Sequence, residues 1–153
     1  MSPTLKNQFR TQQSKRVFFA PWETYFLLAE GAVRGWATPV DAQTAYETGI
    51  AKSFEYWGIS QYLGAYLAST DYNRDGTSVN WTNTTEPGDS HMMSYVDGLT
   101  GTPGTVSINY PVNNLYKNGT VRNDHLTKII TQKFIAQSGW LTLETWIDET
   151  KLR

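Results

Sequence analysis

The stretch Trp22–Gly58, WETYFLLAEGAVRGWATPVDAQTAYETGIAKSFEYWG, decides the fold. Its apolar residues recur at three- and four-residue spacing, the period of a helix with one buried face. A first helix is expected from Trp22 to Gly35, with Trp22, Phe26, Ala29 and Val33 in one stripe and Tyr25, Leu28 and Ala32 widening it. Thr38 and Pro39 read as a cap and first turn, and Asp41 as first-turn negative charge. A second helix then runs to Trp57, burying Ala42, Ala45, Tyr46, Gly49, Ile50, Phe54 and Trp57, and Gly58 ends it. Ala45 and Gly49 are small, which lets the first helix approach closely. The expected unit is a helical hairpin over 22–57, about the length of a tetratricopeptide repeat but without that repeat's full consensus.

Outward from the hairpin, a short helix is expected over 59–69, where Ile59, Tyr62, Leu63, Tyr66 and Leu67 keep the helical period. From 70 to 121 the period vanishes, and Gly, Pro, Ser, Thr and Asn make up more than half of the residues. The apolar residues embedded there (Trp81, Met92, Met93, Tyr95, Val96, Leu99, Val106, Ile108 and Tyr110) point to an ordered excursion packed on the helices rather than a disordered linker. Asn118-Gly119 marks a tight turn. Two further helices are expected over 123–137, with Leu126, Ile129, Ile130, Lys133 and Phe134 inward, and over 140–149, with Leu143, Trp146 and Ile147. The Ser138-Gly139 pair separates them. Residues 1–20 form an irregular lead-in. The fold class is therefore mostly α, tetratricopeptide-like helical hairpins with a long ordered irregular excursion over about 70–120.

Composition narrows the function. The chain has 153 residues, enough for one domain with a real core. Charged residues are 18% and aromatics 14%, with six Trp and nine Tyr, which fits burial of large rings or stacking on flat ligands. The net charge of −1 supplies no basic footprint for nucleic acid or anionic lipid. With no cysteine there is no disulfide, thiolate nucleophile or Cys-based metal site. No run of 18 apolar residues is present to span a bilayer, and the N-terminus has no apolar signal segment.

Three clusters carry candidate chemistry. Asp71, Asn73, Asp75 and Gly76 spell D-x-N-x-D-G, the opening of a Ca²⁺ loop with oxygen ligands at alternate positions. The twelfth position is Thr82 instead of Glu, and a plain Asx turn accounts for the same residues. Trp81 lies among Asn80, Asn83, Thr84 and Thr85, a ring beside amides and hydroxyls, as in a sugar site; the bland alternative is a core Trp with a satisfied indole N–H. Glu86, Asp89 and His91 have the residue types of an acid/base cluster but sit in a Pro-Gly turn and read as a solvated loop. His125, in the first turn of a helix, reads as surface.

The helical segments also resemble a known family. The first is similar to the pattern E-x-x-F-L-x-A-E-A-A-x-R-G-W of the SusD/RagB family, through Glu23, Phe26, Leu27, Ala29, Glu30, Ala32, Arg34, Gly35 and Trp36, with Gly31 where Ala is usual. The second is similar to Y-x-x-G-I-x-x-S-x-x-x-W-G, through Tyr46, Gly49, Ile50, Ser53, Trp57 and Gly58. Ile129, Gln132, Lys133, Phe134, Ile135 and Ala136 resemble I-x-x-Q-K-W-I-A, with Phe for Trp. Of E-A-W-x-E-x-R-R-T-G, Glu144, Trp146 and Thr150 fit, and the Arg pair is missing.

The resemblance implies the C-terminal portion of a longer, surface-exposed lipoprotein of the Bacteroidetes outer membrane. Such a protein binds oligosaccharide or polysaccharide without catalysis and hands it to a TonB-dependent SusC-like transporter. It also implies a lipid anchor, and most of the glycan-stacking rings, outside this chain. This portion would then be mainly scaffold and transporter-docking surface, with Trp81, Asn80 and Asn83 as candidate glycan contacts and Asp71, Asn73 and Asp75 as candidate Ca²⁺ ligands. The competing readings are a helical interaction scaffold with no glycan binding of its own, and a glycoside hydrolase, for which no carboxylate pair announces itself.

Overall fold

The computed structural model describes residues 17–110 and 122–138. Helix α1 spans Pro21–Val33 and α2 spans Ala42–Trp57. A single 3₁₀ turn at Ser60–Tyr62 leads into the short α3, Leu63–Ala68. Strands β1, Ser90–Val96, and β2, Pro103–Asn109, pair antiparallel, and α4, His125–Gln137, follows. The helix expected over 140–149 and the Asn118-Gly119 turn lie outside the described residues.

Local chemistry explains where the first two helices start and stop. Pro21 opens α1 at a position where its missing N–H costs nothing. Both helices end in a Schellman turn on a left-handed glycine. At Gly35 (φ 81°) the Trp36 amide reaches back to the Gly31 carbonyl at 2.9 Å, and at Gly58 (φ 69°) the Ile59 amide reaches the Phe54 carbonyl at 3.0 Å. The start of α2 differs from the expectation. Asp41 itself is the N-cap, accepting the Thr44 amide at 2.9 Å and the Thr44 hydroxyl at 2.6 Å. Those two bonds hold its carboxyl below the usual range. Thr38 instead spends its hydroxyl on the Val40 carbonyl within the interhelical turn.

The core lies where α1, α2 and α4 meet, built on Trp22, Phe26, Ala29, Ala45, Tyr46, Ile50, Ile129 and Ala136. Close approach of α1 and α2 depends on Gly49, where an added Cβ would lie 3.0 Å from the Phe26 ring. The edge of the Tyr46 ring meets Phe26 at 6.4 Å, and Phe54 packs on Tyr66 of α3 at 5.0 Å.

Several expected inward residues point out. Val33 is exposed because α1 ends there and its Schellman turn redirects the chain. Ile59 and Tyr62 are exposed because a 3₁₀ turn, whose period is three, replaces the α-helix expected to carry them inward. Phe134 is 52% exposed, while Lys128, Gln132, Lys133 and Gln137 on the same helix are buried. The inner face of α4 is therefore largely polar.

Over residues 70–110 the excursion is ordered, and within it lies a hairpin that was not expected. Ser90 pairs with Asn109 and Val96 with Pro103, and the Asp97 carboxylate closes the tip by accepting the Leu99 and Thr100 amides. The hairpin stands off the helices instead of packing on them. Met92, Tyr95, Val96, Leu99, Val106 and Ile108 are all exposed. Among the described residues, no helix is long and apolar enough to cross a membrane.

Phe26 is 1% exposed at the α1–α2 contact, so Phe26→Ala should cost about 3–5 kcal/mol of unfolding free energy. Denaturant titration of the two proteins measures this, and an unchanged midpoint would show that the helices pack through another face.

Candidate functional site

The candidate residues from 69 to 91 gather where the excursion leaves α3 and crosses the start of α4. Tyr46 of α2 donates its hydroxyl to the Val79 carbonyl at 2.8 Å, and burial holds that phenol protonated far above its ordinary pKa. Trp81 follows two residues later, with its ring 5.0 Å from Tyr46. The His125 imidazole stacks on Trp81 with centroids 4.0 Å apart and planes 2° from parallel. Its Nε2 donates to the Trp81 carbonyl at 3.2 Å. His125 is therefore a half-buried packing partner and not the surface residue its position suggested. One face of Trp81 carries an imidazole, and the ring packs against the helical core.

The amides beside that ring are engaged within the chain. Asn80 Oδ1 accepts the Thr82 and Asn83 amides, each at 3.1 Å, and its Nδ2 donates to the Leu67 carbonyl. Asn83 Nδ2 donates to the Thr70 carbonyl and the Ser78 hydroxyl, and its Oδ1 accepts the Thr85 amide. These bonds fold the 80–85 turn and leave few free donors around Trp81.

Beneath the turn lies a polar knot that the sequence did not reveal. Lys128 of α4 is 0% exposed. Its ammonium donates to the Ser78 carbonyl at 2.7 Å, the Ser78 hydroxyl at 2.8 Å and Asn123 Oδ1 at 2.7 Å, which uses all three of its protons. Burial pushes its pKa down to about 8, with the Asp124 and Glu86 carboxylates pulling the other way. Asn123, also 0% exposed, accepts the Ser78 amide and donates to the Asn83 and Thr85 carbonyls. A lysine between Leu126 and Ile129 reads as solvated, and although Asn123 is five residues away, its other partner, Ser78, is 50 residues away, so no local pattern could have identified the arrangement.

In the loop expected to be solvated, Glu86 and Asp89 are exposed while His91 is partly buried, and each of the three carries a structural contact. Glu86 accepts the Arg122 and Asn123 amides at 3.0 Å, just ahead of α4, where negative charge is favoured. The exposed Asp89 lies 3.9 Å from the Arg122 guanidinium. His91 stacks on Tyr110 at 4.3 Å, and Arg122 lies over the same Tyr110 ring at 5.6 Å. No nucleophile–base pair is formed by these groups.

Asn73 Oδ1 accepts the Asp75 and Thr77 amides, both at 2.9 Å, so one candidate cation ligand serves as an Asx turn around Gly76 (φ 87°). Asp71 and Asp75 are exposed, and among the described residues no three His, Cys, Asp or Glu side chains cluster as metal ligands.

Because Trp81 is wedged into this corner, Trp81→Ala should lower unfolding free energy by about 3 kcal/mol. The loss should appear in denaturant titration without any ligand present. A variant as stable as the parent would show that the ring is free to serve a ligand instead.

Against known proteins, residues 2–148 match the family described as SusD-like, SusD and RagB outer membrane lipoprotein. Among solved structures, a SusD homolog from Parabacteroides distasonis ATCC 8503 is similar at 30% identity and TM-score 0.60, over 86% of this chain and 19% of that one. A SusD homolog from Bacteroides ovatus ATCC 8483 is similar at 32% identity and TM-score 0.51, over 85% of this chain and 23% of that one. The chain thus spans about a fifth of the length of these structures. No curated protein matches. The helical hairpin, its glycine-ended helices and the match over nearly the whole chain lead to one conclusion: this chain belongs to the SusD-like family of outer membrane lipoproteins.

Proposed function

We propose that the chain serves a non-catalytic glycan-binding lipoprotein on the outer face of the outer membrane, as scaffold and as docking surface for a TonB-dependent SusC-like transporter. The observation that carries this reading is the family match over residues 2–148, centred on a rigid helical block. The polar groups of the 70–91 segment support the scaffold role. Asn80, Asn83, Glu86 and Asn123 are spent on main-chain amides and carbonyls, and among the described residues of this segment no acid/base pair is poised for hydrolysis. The oligosaccharide or polysaccharide would be held chiefly by rings outside this chain, with Trp81, Asn80 and Asn83 shaping a corner of the surface around it.

One observation favours a second reading, a helical interaction scaffold with no glycan contact of its own. Trp81 already has His125 stacked on one face.

A single free ring with a few hydrogen bonds supports a dissociation constant near 1 mM at best. Two assays on the purified chain test the proposal. Affinity capture with a detergent-solubilised SusC-like barrel should retain the chain, and incubation with polysaccharides should release no reducing sugar. Failure to associate with the barrel would remove the docking role. Release of reducing sugar would overturn the non-catalytic reading, and micromolar glycan binding would move the capture site into this chain.

A further inference from the structure

The hairpin is a sheet of two strands that stands off the helices, and among the described residues no third strand flanks either edge. Two strands alone are marginal in water, and such a ribbon is stabilised by a further strand or a packed face. Which of its main-chain groups are unpaired follows from the register. The Asp97 amide donates to the Thr102 carbonyl at 2.9 Å and the Tyr110 amide to the Asp89 carbonyl at 3.0 Å, so both are hydrogen-bonded pairs. Such pairs alternate with non-bonded ones, which turns the main-chain groups of His91, Met93 and Tyr95 toward β2. Those of Ser90, Met92, Ser94 and Val96 turn outward along the free edge of β1. On β2 the outward set is Pro103, Thr105, Ser107 and Asn109, and Pro103 has no N–H to offer.

The β1 edge has none of the usual guards against pairing. Ser90–Val96 contains no Lys, Arg, Asp, Glu or Pro, and no bulge interrupts its register. Beside the outward main chain, Met92 is 65% and Val96 68% exposed. The Tyr95 ring leans the other way, over β2, since an added Cβ at Gly104 would lie 2.7 Å from its Cζ. The edge is therefore open to an approaching strand.

We propose that β1 is a self-association edge, on which β1 of a second copy of this chain pairs antiparallel across a two-fold axis to make a four-stranded sheet. Charge argues for a second copy. A strand paired with itself sets its own residues against one another, so a charged edge meets like charge unless the opposite sign stands at the matching position. β1 has no acidic residue, lysine or arginine to repel its copy. With the axis at Met93, Ser90 lies opposite the partner's Val96 and Met92 opposite the partner's Ser94, each pair exchanging both main-chain bonds. Met92 then sits diagonal to the partner's Val96 on one face, and Met93 meets the partner's Met93 on the other. One contact thus pairs the outward groups of the edge and covers its exposed apolar side chains. The inference is independent of glycan binding and of transporter docking.

Sedimentation velocity of the purified chain from about 5 µM to about 1 mM tests the proposal. An interface one strand wide is at the weak end of specific contacts, so a dimer dissociation constant on the order of 100 µM is expected. Ser94→Pro removes an outward N–H without taking a bond from β2, and should weaken dimerisation by about tenfold or more. Ser107→Pro makes the same change on the outer edge of β2 and should leave the dimer within about threefold of the parent. Hydrogen exchange on the parent gives a readout that needs no substitution. The Met92, Ser94 and Val96 amides should gain protection as concentration rises, while those of Thr105 and Ser107 should not. A parent that stays monomeric over the whole range would overturn the proposal. So would a dimer as tight in Ser94→Pro as in the parent, or one that adds no protection to the β1 amides.

Discussion

The ammonium of Lys128 is surrounded by three oxygen atoms at 2.7–2.8 Å and has no exposure to water. Two of those oxygens belong to Ser78 and the third to Asn123, so one side chain of α4 grips both the excursion and the turn that precedes its own helix. A buried cation is tolerable only where each proton has an acceptor, and here each does. Asn123 completes the arrangement by bonding the Ser78 amide on one side and the Asn83 and Thr85 carbonyls on the other. The 77–85 segment is poor in apolar residues and cannot hold itself on the core by burial alone. Its position follows from this polar knot, with Trp81 and Val79 as its main apolar contributions to the core.

Everything downstream inherits that position. With 77–85 fixed, Glu86 reaches the amides ahead of α4, and the chain turns outward into the hairpin. At the hairpin's base His91, Tyr110 and Arg122 form a stack, so the two strands leave and return at one anchored point. The result is a division of labour. The helices supply a packed block, and the excursion carries a two-stranded hairpin away from it.

The helical part was legible because its signals are local. Phe26, Ala29, Ala45, Gly49 and Ile50 stand at helix-packing spacing, and Gly58 marks a helix end whatever the rest of the chain does. The excursion was legible as ordered from its embedded rings, but not as a hairpin. Its first strand lacks strict alternation, and although Thr105-Val106-Ser107-Ile108-Asn109 does alternate, the Thr-Pro-Gly stretch at 102–104 reads as a turn while Pro103 and Gly104 in fact open β2. Exposure was misjudged for the same reason at Val33 and Phe134, since a stripe gives a face but not where the partner helix ends. The polar knot was invisible because Ser78, Asn123 and Lys128 are ordinary surface residue types, brought together only by tertiary contact. At Trp81 two readings were open; its stack with His125 and contact with Tyr46 show how the ring is packed in the folded chain.

The central claim is that Lys128 holds the excursion on the helices, and hydrogen exchange at single amides measures it most directly. The Ser78 amide is bonded to Asn123 Oδ1 and the Asn80 amide to the Ser69 carbonyl, so both report on docking of this segment. Lys128→Met keeps a long side chain but removes all three donors; Asn123 Oδ1 and the Ser78 hydroxyl keep other partners, while the Ser78 carbonyl loses its donor at a cost of about 1–3 kcal/mol. The account predicts that Ser78 and Asn80 lose most of their protection in this variant, while Gly49 and Ile50 within α2 keep more of theirs. Equal protection at Ser78 and Asn80 in parent and variant would contradict it.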